Sequence, residues 1–428
     1  MDHMKLKSSN FDAEIPAHKC FIFFTLCFLL LVLVCGCNAI GPDYFRPEAP
    51  VEDNWSEIED TLITSEQPVD PQWWKTIFHE PDLDQLVETA LQQNLSLRSA
   101  GLRVLQSQQQ LAIAIGNQYP QQQQATGSAS RQKSNNNTFN NYSLGFNLDW
   151  EVDFWGRFKR QVESASAELD ASVADYDGVI VSLVSQVAQT YILIRTFQDR
   201  LEVTRKNIKL QAESLRITRA KFDAGEVSEL DADQAESLLN NTRASVLTLE
   251  ISLQQLKNTL AILLGNPPQH YKYLLSNNGR IPLPPAEITL GMPQNIIRQR
   301  PDIRSAERQL AAQSAQIGYA VTELYPHFSI GGAIGTSALS IGDLFDSKSQ
   351  IWNLYGLFEW NIFNYGRLRS NVRLQDALFQ QLLVDYLDTI LQAQGEVENA
   401  IVAYLNSHEQ LVSYKLAADA SQRAVDVA

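Results

Sequence analysis

Apolar residues recur at every seventh position along one long stretch of the chain. The row consists of Val187, Ile194, Leu201, Ile208, Leu215 and Phe222. A seven-residue repeat is typical of helices that pack side by side along a seam. Residues 157–222 contain no proline, so we predict one continuous helix of roughly 100 Å at a rise of 1.5 Å per residue.

A second stretch, from about Ser228 to Leu264, has two rows with the same spacing. They are Ala232, Leu239, Val246, Leu253 and Leu260, and Ala235, Thr242, Leu249, Leu256 and Leu263. The five residues 223–227 between the stretches form a short reversal, and Gly225 suits the C-terminal end of a helix. The two helices are therefore predicted to form an antiparallel hairpin. An ordinary coiled-coil stalk is the alternative. It would not explain why the long helix begins directly after a membrane-type strand, which is predicted over residues 142–153.

A two-residue alternation precedes the long helix. Apolar Tyr142, Leu144, Phe146, Leu148, Trp150 and Val152 alternate with Ser143, Gly145, Asn147, Asp149, Glu151 and Asp153. This period predicts a strand with one apolar and one polar face. A looser copy has Trp352, Leu354, Phe358, Trp360 and Ile362 against Asn353, Glu359 and Asn361. Weaker partner strands are predicted over 121–132 and 327–340, with exposed hairpin loops over 131–141 and 339–349.

An internal duplication relates the two parts of the chain. Arg98-Ser99-Ala100 and Tyr119-Pro120 recur at an offset of 206, and Trp150 and Gly156-Arg157 recur at an offset of 210. Each half is predicted to contain a helix, two strands and a long helix. The predicted organisation is a signal peptide (1–36), an N-terminal extended, equatorial segment (37–83), a first repeat (84–265), a proline-rich linker (266–291) and a second repeat (292–428).

The second repeat is predicted to stop before its return helix. At the offset of 210, Ala428 corresponds to Thr218, so residues 219–265 have no counterpart. We therefore expect a truncated chain with an apolar seam exposed near Tyr404 and Leu411. This expectation leaves open the alternative that the chain is a non-functional truncated fragment.

Four strands in one chain cannot complete a membrane-spanning sheet. The aromatic residues near the strand ends favour a membrane barrel, with a soluble β-sandwich as the alternative. In lipid, the edge strands of an open sheet would have unsatisfied backbone groups. Two chains would supply eight strands and a filled barrel, whereas three chains would supply twelve and leave a lumen. The smallest symmetric assembly that makes a pore is a trimer.

The N-terminus is predicted to be a secretory signal that ends at a lipid site. Basic residues precede an apolar run over 21–34, which is too short to span a bilayer comfortably. Val34-Cys35-Gly36-Cys37 resembles a bacterial lipobox, so Cys37 is the predicted lipidation site, with an ordinary signal peptide as the alternative. Asn38 follows Cys37, and not the aspartate that retains many such lipoproteins in the inner membrane, so the resemblance implies the outer membrane as the destination. No later apolar run is long enough for a transmembrane helix.

Composition and motifs argue against several other functions. The formal net charge is −15, which disfavours nucleic acid as a partner. All four cysteines lie within the first 37 residues, which excludes a disulfide framework or a cysteine metal site in the remainder. The six histidines have no metal-ligand spacing. The glycine-rich run Gly331–Gly335 lies in a predicted strand, which argues against a phosphate-binding loop. Asp149, Glu151 and Asp153 are interpreted as lumen lining, so we expect no enzyme activity, catalytic residue or cofactor.

Further stretches together form a specific pattern. They are residues 40–47 (IGPDYFRP), Trp73-Trp74, Phe78, Pro81 and Leu83, Ala90-Leu91, Asn94-Leu95 and Leu97, Gly225 to Asp231 with Gln234-Ala235-Glu236, Leu263-Leu264-Gly265, Arg300 to Arg304 with Ala306-Glu307, Gln316-Ile317-Gly318 and Tyr325-Pro326. From Cys37 to its last residue, the chain resembles the TolC-like outer-membrane efflux lipoproteins of the NodT and OprM branch.

The resemblance implies an α+β membrane protein that assembles as a homotrimer. Its twelve-stranded barrel would cross the outer membrane, and its twelve-helix tunnel would lie in the periplasm. The hairpin tip, formed by Gly225, Glu226, Val227 and Ser228, would meet a periplasmic adaptor (membrane fusion) protein linked to an inner-membrane pump such as an RND transporter. The channel would be a passive conduit for drugs or other small solutes. Alternatives are type I protein secretion, metal-ion efflux and a coiled-coil surface protein.

Overall fold

A computed structural model of the chain describes residues 39–427, apart from 49, 53, 57–62, 65–69, 71, 135–136, 272–274, 276–278, 286–287 and 290–297. The predicted signal peptide 1–36 and the predicted lipid site at Cys37 lie outside the described residues. The chain divides into two compact units. The sheet unit comprises Met1–Phe45, Gln110–Ala167 and Ala311–Gln381, and the helical unit comprises Arg46–Gln109, Glu168–Leu310 and Leu382–Ala428. The repeat boundaries predicted from sequence symmetry stay a prediction.

The described elements follow one another in the order that the duplication predicts. They are β1 (Ile63–Thr64), α1 (Trp73–Phe78), α2 (Pro81–Gln93), α3 (Leu95–Gly116), β2 (Gln122–Ser134), β3 (Asn137–Val152), α4 (Arg157–Asp223), α5 (Glu229–Leu263), β4 (Ile288–Thr289), α6 (Pro301–Thr322), β5 (His327–Ala338), β6 (Gln350–Glu359) and α7 (Arg367–Val427). Helix, strand, strand and long helix thus occur twice, as α3-β2-β3-α4 and as α6-β5-β6-α7.

The sheet unit is built on an antiparallel sheet with the strand order β2-β3-β5-β6. Strand β3 pairs with β2 on one side and with β5 on the other, where Leu144 lies opposite Thr336 and Trp150 opposite Ile330. Because the side chains of a strand alternate between faces, this register gathers the apolar row of β3 on one face with apolar residues of β5. The predicted alternation in β3 is confirmed by this pairing.

The strand limits differ from the prediction at two ends. Strand β3 ends at Val152, so Asp153 lies beyond it. Strand β6 ends at Glu359, so Trp360 and Ile362 also lie outside the sheet. The alternating pattern continues past these points, but the backbone leaves the ladder before the helices begin at Arg157 and Arg367.

The loop predicted over 131–141 is wrong. Strands β2 and β3 continue through most of it, and their last pair joins Ser134 to Asn137. Ladder hydrogen bonds come from the backbone, so a ribbon of polar side chains can extend far beyond its apolar part. The loop predicted over 339–349 is present and contains two short 3-10 turns, Ile341–Asp343 and Ser347–Ser349.

The predicted helical hairpin is present, with α4 and α5 joined by the reversal at 224–228. Its seven-residue rows are only partly buried within one chain. Val187 and Ile194 are fully buried, whereas Phe222, near the end of α4, is 39% exposed. On α5, Leu239 and Leu260 face inward. The seam therefore exists, and its burial along α4 decreases toward the reversal.

The core of the helical unit explains an apolar segment that the sequence analysis did not anticipate. Among the described residues, α4 alone is long and apolar enough to cross a membrane, by its length and composition only. Within α4, Leu183, Val187, Tyr191 and Ile194 pack in one core cluster that includes side chains of α2 and α5. This core cluster accounts for the apolar composition of the segment, so the expectation of no transmembrane helix after Val34 stays a prediction.

Candidate functional site: the channel sheet and the hairpin tip

The outermost strands of the sheet, β2 and β6, each have a neighbour on one side only. Along β6, Trp352 is 79% exposed and Leu354 is 76% exposed. Their cross-strand partners on β5, Ile334 and Gly332, lie on the same apolar face. A long, exposed, apolar edge strand needs a further strand or another covering element. The single chain thus presents two free sheet edges and one apolar face.

The opposite face of the sheet is polar and is bonded across the strands. The Tyr355 hydroxyl donates to the Asp149 carboxylate across β5. Gly331 lies beneath this contact, and a Cβ there would lie 2.3 Å from the Tyr355 ring. Nearer the other end of the sheet, the Ser128 and Ser143 hydroxyls lie 2.8 Å apart. This face therefore presents hydroxyl and carboxylate groups that water-borne solutes can meet.

Arg157 joins the end of the sheet to the first turn of α4. Its Nη1 donates to both Glu151 carboxylate oxygens at 3.0 Å. Its Nε pairs with Glu323 at 3.0 Å, and its Nη2 donates to the Tyr319 hydroxyl at 3.1 Å. His327 Nδ1 lies 3.1 Å from the same Glu151 carboxylate. Glu151, predicted to line a lumen, is thus fully engaged in a cluster at the strand–helix junction.

Asp153 has a role that the sequence pattern did not reveal. Its carboxylate accepts hydrogen bonds from the backbone N–H groups of Phe158 at 3.1 Å and Lys159 at 2.8 Å. The first N–H groups of a helix have no partner within the helix and carry a partial positive charge, so a carboxylate there is favourable. Asp153 therefore caps α4 and does not lie in the strand. An acidic residue shortly before a helix start is the signal by which sequence analysis could have found this role.

The hairpin tip is a tight reversal with hydrogen bonds on both sides. At the end of α4, Gly225 N–H donates to the Phe222 carbonyl at 2.8 Å and Glu226 N–H donates to that of Lys221 at 2.9 Å. This is the Schellman arrangement, which requires the left-handed conformation that Gly225 adopts at φ 76°. Val227 is half-buried, whereas Gly225 and Glu226 are exposed.

Ser228 begins the second helix of the hairpin with a capping box. Its side chain accepts from the Asp231 N–H, and the Asp231 carboxylate accepts from the Ser228 N–H at 2.9 Å and from its hydroxyl at 2.6 Å. These hydrogen bonds hold the pKa of Asp231 below its ordinary value. The tip is therefore a defined structure whose exposed backbone is available to a partner.

The Arg-Pro-Asp stretch ties the start of α6 to α7 within the helical unit. Arg300 donates to Asp302 at 3.1 and 2.7 Å, and to Glu396 at 2.8 Å. Burial alone would raise the pKa of Asp302, but the hydrogen bonds from Arg300 and from the Ile303 N–H outweigh burial and hold that pKa below its ordinary value. The role of the stretch is structural: it fixes one helix end against its neighbour.

Chemistry at a metal centre finds no support among the described residues. That part of the chain contains no group of three or more His, Cys, Asp or Glu side chains close enough to hold a metal ion. The glycine-rich run Gly331–Gly335 lies within β5, where the sequence analysis predicted a strand. What the described chain offers is a two-faced sheet and a capped hairpin tip.

Known proteins share this combination of a two-faced sheet and a helical hairpin. The outer membrane efflux protein family matches residues 86–266 and 292–428, which is well over half of the chain. The chain belongs to the outer membrane efflux protein family. The family match covers the sheet, the helices that flank it and the hairpin tip.

Individual relatives resemble the chain over most of their length. It is 28% identical over 396 residues to the probable outer membrane lipoprotein SilC of Salmonella typhimurium, covering 92% of this chain and 85% of that protein. It is 31% identical over 381 residues to Nodulation protein T of Rhizobium leguminosarum bv. trifolii, covering 87% and 80%. The solved outer-membrane channel OprN matches with a TM-score of 0.80 at 30% identity, covering 87% of this chain and 84% of that one.

Membership explains the free edges of the sheet. This efflux protein is an outer-membrane channel component of a tripartite efflux system, with a large periplasmic portion. Channels of the family are trimers with a barrel and a helical tunnel. Four strands from each of three chains give a closed twelve-stranded barrel, in which β2 and β6 find their missing neighbours. The apolar face then meets lipid, and the polar face meets the lumen.

Proposed function

We propose that the protein is a passive exit duct that performs no chemistry on its cargo. The polarity of the sheet supports this proposal most directly, because an apolar outer row and a polar inner row suit a water-filled pore in lipid. The polar face contains neutral hydrogen-bonding groups, among them Ser128, Ser143, Thr126 and Asn147. Such a lining suits small hydrated solutes of varied structure. The energy for export would then come from the inner-membrane pump.

The hairpin tip is proposed as the docking point for a periplasmic adaptor protein. Its support is the Schellman turn at Gly225 and the capping box at Ser228, which hold the reversal in one conformation. Next to it, Leu230 is 64% exposed and offers an apolar contact. A preorganised turn loses little conformational entropy when a partner binds. An RND transporter or another inner-membrane pump would be reached through this adaptor.

Cys37 is proposed as the lipid-bearing first residue of the mature chain. The lipobox-like Val34–Cys37 sequence supports it, as does the relative SilC, whose name describes a lipoprotein. Labelled palmitate should be incorporated into the parent protein and lost in Cys37→Ser. Equal labelling of both proteins would rule out this site.

The class of cargo can be tested with a deletion strain. Loss of the gene should increase susceptibility to antibiotics and dyes if the duct serves drug efflux, and should decrease tolerance to metal cations if it serves metal-ion efflux. The second candidate has specific support, because a relative 29% identical over 386 residues is the cation efflux system protein CusC of Escherichia coli. Expression of the parent gene should restore the lost phenotype. Unchanged susceptibility and tolerance would reject both.

Adaptor docking can be tested by site-directed crosslinking. A cysteine that replaces Glu226 at the tip should crosslink to an adaptor in intact cells. A cysteine at Ser347, in the turn before β6, is the matched control and should not react with it. Crosslinking at Ser347 and none at Glu226 would invert the proposed orientation.

A further inference from the structure

Arg160 is a buried cation in the first turn of α4. Its side chain is only 2% exposed. The Nη1 atom donates to Glu163, three residues further along the helix, at 2.7 Å. A guanidinium group that is shielded from water needs acceptors within the protein for its remaining N–H groups. In this protein, those acceptors come from the N-terminal segment 39–43.

Four contacts join the guanidinium to this segment. Arg160 Nε donates to the Ile40 carbonyl at 3.2 Å. Its Nη2 faces the Ala39 carbonyl at 3.4 Å and the Gly41 carbonyl at 3.1 Å. The same atom bonds the Asp43 carboxylate at 3.0 Å. Three consecutive carbonyls and a carboxylate thus surround one planar fork, a geometry that Arg supplies and Lys cannot.

Glycines let the segment approach its neighbours closely. Gly41 has a φ of 105°, and a Cβ there would lie 2.4 Å from the Cα of Gly318 on α6. Gly156 has a φ of 78°, and its added Cβ would lie 2.4 Å from the Cβ of Ala39. A Cβ on Gly318 would in turn lie 2.8 Å from Arg160 Nε. Segment 39–43 therefore fits between the start of α4 and α6 only because these positions lack side chains.

The segment is also bonded to the end of the sheet. The Ile40 N–H donates to the Trp155 carbonyl at 3.0 Å. Trp155 packs against Tyr325 with ring centroids 4.9 Å apart, and its indole donates to the Pro326 carbonyl at 2.8 Å. Aromatic side chains at the ends of barrel strands are typical of the boundary between lipid and water. The segment is thus fixed beside an aromatic cluster at the rim of the sheet.

We infer that Arg160 is a clamp that docks segment 39–43 on this rim and thereby limits how far Cys37 can lie from the rim. Cys37 lies two residues before Ala39, a distance of at most about 7 Å along an extended chain. A lipid on Cys37 would therefore be attached within about 7 Å of the docked segment. The clamp is independent of lipidation, whereas its placement of the lipid rests on the proposed modification of Cys37.

The clamp can be tested by the mobility of a spin label on the segment. The mature chain, with Cys37→Ser, is exported behind a non-lipoprotein signal peptide, so that a cysteine at the exposed Pro42 is its single thiol. In the parent trimer, a nitroxide at this position should give a motionally restricted spectrum. Arg160→Met should lose the restricted component, and Arg160→Lys should lose part of it. Because this protein carries no lipid, the result does not depend on the Cys37 proposal.

Lys159→Met is the matched control, because Lys159 is the adjacent residue, is exposed, and contributes only its backbone N–H to the Asp153 cap. It should keep the restricted spectrum. Gly41→Ala should release the segment without altering Arg160, and it serves as the second variant if Arg160→Met fails to assemble. A restricted spectrum in assembled Arg160→Met, or in both Arg160→Lys and Gly41→Ala, would overturn the inference.

Discussion

Trp150 and Trp360 occupy equivalent positions in the two repeats and make equivalent hydrogen bonds. The indole N–H of Trp150 donates to the Gln118 carbonyl at 3.3 Å, and that of Trp360 donates to the Leu324 carbonyl at 3.0 Å. Gln118 and Leu324 are themselves 206 positions apart, like the repeated Tyr-Pro pairs. The duplication thus extends to individual contacts, and in each half an indole fixes the end of the strand pair to the turn after the preceding helix.

We expect Trp150→Phe and Trp360→Phe each to lower the stability of the trimer by about 1 kcal/mol, because a smaller aromatic ring replaces the indole and one hydrogen bond is lost. The temperature at which the trimer dissociates in detergent measures the effect. Trp352→Phe is the control, since Trp352 is 79% exposed within the chain and lies in the lipid-facing row. A Trp150→Phe protein as stable as the Trp352→Phe protein would show that the indole bond contributes nothing.

Gly225→Ala should destabilise the hairpin tip by about 1 kcal/mol, because an L-residue in the left-handed conformation meets its own backbone. No neighbouring atom lies within 4 Å of the added Cβ, so the cost is that of the backbone alone. Hydrogen exchange of residues 220–232 should become faster. Gly395→Ala, within α7 and equally free of neighbours, should have the opposite effect on its own helix, because alanine favours helices. Slower exchange at the tip of Gly225→Ala would contradict the assignment.

The contact between Arg300 and Asp302 should make the start of α6 sensitive to acid. The pKa of Asp302 is lowered in the folded protein, so its stabilising effect is present at neutral pH and is lost as the pH falls through that lowered value. Hydrogen exchange near residues 300–306 should therefore be unchanged from pH 7 to pH 5 after correction for intrinsic rates, and should become faster below about pH 3.8, the ordinary pKa of an aspartate side chain. In Asp302→Asn, this acid-dependent step should disappear. An equal step in both proteins would assign it to another group.

Gly331→Ala should change the lumen of the barrel. A Cβ at this position would lie 2.4 Å from the Asp149 carboxylate as well as against Tyr355, so the Tyr355 ring must leave the wall. We expect a lower single-channel conductance in planar bilayers, because the displaced ring can move only toward the lumen. Gly356→Ala is the control, since the nearest atom to its added Cβ is 4.0 Å away. Equal conductance of the two variants would show that Tyr355 does not narrow the pore.

The parts of the fold that depend on local periodicity could be predicted from the sequence. The alternation ending at Val152 specified β3, and the heptad row through Val187 and Ile194 specified α4. The β2-β3 ribbon could not be delimited, because backbone pairing as far as Ser134 leaves no mark on the side-chain pattern.

The roles of Arg160 and Asp153 were not predicted from the sequence. Arg160 contacts residues about 120 positions away, and such a contact exists only after the chain has folded. Asp153 looked like the last polar residue of an alternating strand, although the strand had ended one residue before it. In contrast, the tip at Gly225 and Ser228 could be located, because turn and capping residues act on their own neighbours.

The decreasing burial along α4 implies a gradient of local stiffness. Val187 and Ile194 are fully enclosed within one chain, Leu201 is 4% exposed, and Phe222 is 39% exposed. Few apolar contacts mean a small free energy of local opening, so segments near the reversal should fluctuate more often than those near the core. Bending or separation of the helices would then begin at the tip and fade toward the core. A duct built this way can open near the hairpin tip while the part of α4 around Val187 and Ile194 stays rigid.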